Sequence, residues 1–228
     1  MADNYLEKKF EQMRENSNRK REVKRTAPVS LNSLLLKNRS CRGYDKNYIV
    51  TKEQLLKIIE VNSKIPSARN QQVLRFLPIC KDSSDSVALV TDNIKLGGAL
   101  PELHLPYKGT EPEAYIIIFS TVAENKWIDI DLGISCQTML LKAVEMGLNG
   151  ICIGAFNSEK IKTLLSDNPK YINAVTGKTT LEPLMVVAIG KSMEKIQLLP
   201  IKESDSHNYF RENGVHFVPK LQSDGLIL

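Results

Sequence analysis

Between Asp129 and Met146 the apolar residues Leu132, Cys136, Met139, Leu140, Ala143 and Val144 recur at the helical period and form a wide stripe. A helix with so broad an apolar face must be central and largely buried, so the chain has to supply apolar cover for it. Gly147-Leu148-Asn149-Gly150 ends this helix with a glycine C-cap, and Ile151-Cys152-Ile153-Gly154-Ala155 follows as an inner strand. A second continuous apolar run, Tyr115-Ile116-Ile117-Ile118-Phe119, suits a strand buried on both faces. Leu74 to Cys80 reads as a further strand that Pro78 pushes toward a sheet edge, and Leu184 to Ile189, closed by Gly190, as the last clear one.

Around these lie shorter elements. Leu31 to Lys37 is a short helix. Thr51-Lys52-Glu53-Gln54 is a capping-box pattern, after which Leu55, Ile58, Ile59 and Asn62 line one helix face up to Pro66. Ser84 to Leu96 has helical spacing and stops at Gly97-Gly98, and Ser158 caps a helix through Leu165. Ala99 to Glu113, with three prolines and His104, is long enough for a lid or substrate-side loop. Val215 to Pro219 looks like an extended arm.

The 228 residues, 42% hydrophobic and 25% charged, belong to an ordinary globular protein. No apolar run approaches the roughly 20 residues a membrane helix needs, and the polar start has no signal-peptide core, so a cytoplasmic protein is expected. Cys41, Cys80, Cys136 and Cys152 form no C-x-x-C pair, and His104, His207 and His216 have no metal-ligand spacing, so no metal is assigned. Helices and strands alternate without the strict strand-helix-strand order of a doubly wound sheet, and the absence of G-x-G-x-x-G after a strand and of G-x-x-x-x-G-K-[ST] excludes dinucleotide-fold and P-loop readings. Residues 1 to 30 carry a net charge of +3 within the total of +5. Their acids are interleaved, and Leu6, Phe10 and Met13 recur at helical spacing. That describes an amphipathic helix and linker packing on another subunit better than a nucleic-acid arm.

Two polar segments carry the chemistry. Asn38-Arg39-Ser40-Cys41-Arg42-Gly43-Tyr44 gathers two guanidinium groups and a hydroxyl beside a helix end. Pro66-Ser67-Ala68-Arg69-Asn70-Gln71-Gln72 is a turn dense in amides and hydroxyls at the exit of the next helix. Together they suit an anionic, hydrogen-bonding cofactor such as flavin mononucleotide (FMN), whose phosphate carries about −1.5 to −2 charges and several strong acceptors. An isolated R-x-x-R pair would otherwise be read as a solvated surface.

The order of segments resembles the flavin-dependent nitroreductase family. An Arg-Arg-Ser-x-Arg-x-Phe/Tyr segment is matched by Asn38 to Tyr44, and a Pro-Ser-x-x-Asn-x-Gln turn by Pro66, Ser67, Asn70 and Gln72. A helix of the form Asp-x-Gly-x-x-x-Gln-x-x-x-Leu-x-Ala-x-x-x-Gly-Leu is followed by Asp131, Gly133, Gln137, Leu141, Ala143, Gly147 and Leu148. The tail Tyr209 to Lys220 is similar to one branch of the family. The likeness spans residues 31–228, the expected cofactor domain.

The resemblance implies an α+β fold, with a central, mostly antiparallel sheet flanked by helices. It also implies an intertwined homodimer with FMN at the subunit interface. Arg39, Ser40 and Arg42 are then similar to residues that grip the phosphate and the pyrimidine edge. Pro66, Ser67, Asn70 and Gln72 look like contacts from the other subunit, and Gly154 and Ala155 like the backbone facing the flavin. Asn38 stands where members often carry arginine, so Lys191 or Arg211 is expected to complete the phosphate grip. The expected activity is ping-pong hydride transfer from NADH or NADPH through bound flavin to a small conjugated acceptor, a nitroaromatic or quinone, with no catalytic side chain. The rivals are a dehalogenase or flavin-fragmenting relative, or a non-catalytic flavin- or nucleic-acid-binding protein.

Overall fold

In a computed structural model, which describes residues 29–98, 103–174 and 176–227, the chain builds two sheets and five α-helices among those residues. The expected leader helix and its linker up to Pro28, and the first four residues of the expected Ala99 to Glu113 loop, lie outside the described residues. The helices are α1 (Leu31–Lys37), α2 (Lys52–Ile59), α3 (Ser84–Asp92), α4 (Lys126–Glu145) and α5 (Ser158–Lys162). Strands β1 (Leu74–Ile79), β2 (Tyr115–Ser120), β3 (Asn149–Ile153) and β4 (Glu182–Gly190) form one sheet in the order β1-β2-β4-β3. Every pairing in it is antiparallel. Pro78 sits on edge strand β1, where its missing N–H costs no ladder bond.

All six residues of β2 are buried. Alternation of side chains across the strand sends Ile116 and Ile118 into one core, with Leu132, Cys136, Met139, Leu140 and Ala143 of α4 and Leu55 and Ile58 of α2. Tyr115, Ile117 and Phe119 enter a second core with Val90, Ile151, Ile153, Ile161 and Leu165. Each such isoleucine stabilises the fold by about 1.5–3 kcal/mol on burial. The broad stripe of α4 is therefore covered by the sheet on one side and by α2 and its neighbours on another.

Local signals explain most element ends. At α2 the capping box closes in both directions: Gln54 N–H donates to Thr51 Oγ1 at 3.2 Å, and Thr51 N–H donates to Gln54 Oε1 at 3.0 Å. Helix α4 begins at Lys126, earlier than the apolar stripe indicates, because Asn125 Oδ1 accepts Trp127 N–H at 3.0 Å. Asn157 rather than Ser158 caps α5, which runs to Lys162 and continues as a 3-10 turn to Leu165. Helix α3 stops at Asp92, short of Leu96, because the following backbone is recruited elsewhere: Lys95 N–H donates to Ala155 O at 2.8 Å, and Asn157 N–H to Asn93 O at 2.9 Å.

The C-terminal part departs most from expectation. Strands β5 (Lys195–Ile201), β6 (Phe210–Glu212) and β7 (Val215–Leu221) form a second sheet in the order β5-β7-β6. The expected arm is thus the middle strand of a sheet within its own chain, parallel to β5 and antiparallel to β6. Asn213 and Gly214, both at positive φ (49° and 74°), make the two-residue turn that folds β7 back on β6.

Gly150 shows how tightly β3 sits: a Cβ there would lie 2.3 Å from the backbone oxygen of Ala188 on β4. Gly150→Ala should force the strands apart and lower stability by about 1–3 kcal/mol, read from the midpoint of urea unfolding.

Candidate functional site

The segment from Asn38 to Tyr44 is fixed by backbone, which frees its side chains. Asn149 Nδ2 donates to Lys37 O at 2.8 Å, closing the end of α1, while its Oδ1 accepts the N–H groups of Arg39 (3.3 Å) and Gly150 (3.0 Å). Cys41 N–H then donates to Gly150 O at 3.1 Å, tying the segment along the edge of β3. Tyr44 Oη donates to Cys41 O at 2.8 Å, and Met193 N–H to Gly43 O at 3.1 Å. Beneath them Glu194, its side chain only 7% exposed, accepts Arg42 N–H at 2.6 Å and holds the guanidinium of Arg211. Burial pushes the Cys41 thiol up to about 11, so this cysteine is packing.

Arg39, Ser40 and Arg42 line a cleft of about 330 Å³ with Asn38, Gln137, Tyr209, His216 and Lys220. Gln137 comes from α4 and the last two from β7. Residues 216, 218 and 220 alternate onto one face of β7, which is why they face the cleft together. In the described structure the guanidinium groups rest on local carbonyls, Arg39 Nη2 on Leu35 O at 2.6 Å and Arg42 Nη1 on Ser40 O at 3.1 Å. Their Nε atoms are buried with no hydrogen-bond partner among the described residues. Arg42 also lies over the Tyr209 ring, 5.4 Å from its centre. Buried donors without acceptors, gathered with a third cation, are what a phosphate-bearing ligand would satisfy, so the donor set fits FMN.

Pro66, Ser67 and Gln72 line a different cleft, of about 470 Å³, with Asn62, Asp131 and Ser135. The turn is strained: Arg69, Asn70 and Gln72 all have positive φ (51°, 53° and 49°). It is held by Asp131 Oδ1, which accepts Ala68 N–H at 2.8 Å, and by Gln72 Nε2, which donates to Asn70 Oδ1 at 3.1 Å. Asp131 is buried on α4, so the aspartate of the helical motif anchors the turn.

One chain therefore does not bring the two polar segments into one cleft. Gly154 and Ala155 are exposed beyond the end of β3, and a Cβ on Gly154 would meet nothing within 4 Å. They line neither cleft, and nor do Lys191 and Arg211. Lys191 Nζ donates to Gly147 O at 3.1 Å and Arg211 pairs with Glu194. Lys220 and His216 are the cleft residues that sequence reasoning did not single out. The signal for them was the Asn213-Gly214 turn followed by alternation at 216, 218 and 220. Among the described residues no cluster of His, Cys, Asp or Glu could hold a metal, and no helix is long and apolar enough to cross a membrane.

A sequence model described as the nitroreductase family matches residues 35–191. No curated protein matches the chain. Among solved structures, a nitroreductase family protein from Clostridium novyi NT is similar at 18% identity and a TM-score of 0.54, over 71% of this chain and 84% of that one. One from Streptococcus pneumoniae TIGR4 aligns at 13% identity and a TM-score of 0.56, over 74% and 93%. An FMN-dependent nitroreductase from Clostridium difficile R20291 aligns at 22% identity and a TM-score of 0.53, over 72% and 89%.

Asp131→Ala leaves the part-buried N–H of Ala68 without its acceptor and should cost about 1 kcal/mol by denaturant unfolding. In the native protein at pH 8, Cys41 should resist alkylation, as mass spectrometry of the labelled peptide would report.

Proposed function

The chain belongs to the nitroreductase family, and from that premise we propose that it is an FMN-dependent oxidoreductase. It carries a hydride from NADH or NADPH to a small conjugated acceptor of nitroaromatic or quinone type. The observation that carries this reading is the cationic cleft, in which Arg39 and Arg42 hold buried Nε donors without acceptors among the described residues, beside Lys220. When bound, the flavin ring supplies hydride acceptance and donation.

The residues of this chain hold and orient. Arg39, Ser40 and Lys220 would bind the phosphate, Lys220 serving in place of the arginine that Asn38 replaces. Arg42, kept in place by its backbone bond to Glu194, would set a positive charge against negative charge on the cofactor. Lys191 and Arg211, turned to Gly147 and Glu194, leave that task to Lys220. Gly154, with open space where a Cβ would stand, lets a planar group approach the backbone of its strand end.

The same reading makes the enzyme a cytoplasmic homodimer, with Pro66, Ser67, Asn70 and Gln72 of one copy completing the other's cleft. The separation of the two clefts within one chain supports it, as do exposed Leu31, Leu35 and Leu36 on α1 and Trp127 and Ile130 on α4. Apolar surface of this extent favours a partner.

The purified protein should be yellow, bleach on anaerobic addition of NADH or NADPH, and sediment as a dimer. A colourless protein that takes up no FMN on reconstitution would overturn the reading. Arg42→Ala should weaken FMN binding about tenfold or more, measured by quenching of flavin fluorescence.

A further inference from the structure

His216 is 3% exposed, yet neither ring nitrogen has a hydrogen-bond partner among the described residues. A buried imidazole with both nitrogens unsatisfied loses its bonds to water and gains none in return, a cost that a folded protein rarely leaves standing. The ring lines the cleft that holds Arg39, Ser40, Arg42 and Lys220. Its strand position accounts for this: in the parallel ladder His216 lies opposite Ile196 and in the antiparallel one opposite Arg211, with Lys220 four residues on along the same face. Tyr209 packs edge-on against it at 5.2 Å and 61°, which fixes the ring plane.

We propose that His216 is a ligand of the phosphate end of the cofactor, donating a ring N–H to a phosphate oxygen and taking up a proton when the phosphate arrives. This rests on the FMN reading and adds to it a named ligand and a coupled proton. The charged and titratable groups facing the ring are Arg42 from the segment after α1, Glu194 before β5, Arg211 on β6, and Tyr209, with Arg39 and Lys220 in the same cleft. Burial first, then the Arg211 and Arg42 cations, hold the His216 pKa below its ordinary value, with Glu194 opposing them, so the free protein carries the ring neutral at neutral pH. A phosphate dianion beside it reverses the balance and favours imidazolium. The sign follows: binding takes up a proton at any pH between the free and the bound pKa, so affinity falls as pH rises through the bound value. Below about pH 6 the phosphate itself gains a proton, so the test belongs above that.

Apoprotein would be titrated with FMN and, separately, with riboflavin between pH 6.5 and 8.5, using wild type and His216→Gln. Wild type should bind FMN more weakly as pH rises. His216→Gln should bind it about tenfold or more weakly at pH 6.5 and lose most of that pH dependence, with riboflavin affinity unchanged. Calorimetry in buffers of different ionisation enthalpy should show proton uptake on FMN binding to wild type. In labelled wild-type protein, the NMR titration of His216 should move to higher pH on adding inorganic phosphate, a measurement independent of how the variant folds. Equal losses for FMN and riboflavin would make His216 structural and overturn the proposal. FMN binding without proton uptake or a change in the His216 titration would overturn it while leaving the FMN reading standing. Failure of wild type to bind FMN at all would end both.

Discussion

Strand β2 has no side that meets water, and the architecture follows from that. A strand buried on both faces needs two cores, and Ile116 and Ile118 feed one while Tyr115, Ile117 and Phe119 feed the other. The first core takes the wide stripe of α4, which fixes that helix across the sheet. With α4 set, Asp131 at its start and Gln137 in its middle reach opposite regions: Asp131 holds the Pro66 to Gln72 turn, and Gln137 lines the arginine cleft. One apolar helix thus holds one polar segment and lines the cleft of the other.

Much of this was legible because the signals are local. The capping box at Thr51, the glycines after α4, the continuous run of β2 and the proline of β1 each act through a few neighbouring atoms, and a single sequence displays them. Helix ends were legible only where nothing distant competed. The ladder formed by residues 93–95 with 155–157 took residues from the end of α3, a demand that helical spacing cannot announce. Strand β5 was missed because Lys195 to Ile201 contains Pro200 and alternates weakly, and it owes its existence to a parallel partner that appears twenty residues later.

The candidate site was legible in its parts and illegible in its assembly. Arg39, Ser40 and Arg42 do share a cleft, because Asn149 and Gly150 hold their backbone against β3. His216 and Lys220 opposite them lie on the last strand, at the far end of the sequence, and could be placed only once β7 was known to fold back into its own chain. Charge alone also misleads: Arg211 is basic and nearby, yet the buried carboxylate of Glu194 claims it, whereas Lys220 at the next strand faces the opening.

The two-residue turn at Asn213 and Gly214 gives this cleft an unusual sensitivity to chain length. Alternation along β7 presents His216, Val218 and Lys220 on one side and Phe217 and Pro219 on the other. Seven parallel pairs with β5 hold β7 in place, so a single inserted or deleted residue in that turn would slip β6 past β7 and carry Tyr209 and Arg211 away from His216. In evolutionary terms the surroundings of His216 are stored in loop length as much as in side-chain identity. The same residues joined by a different turn would line the cleft differently.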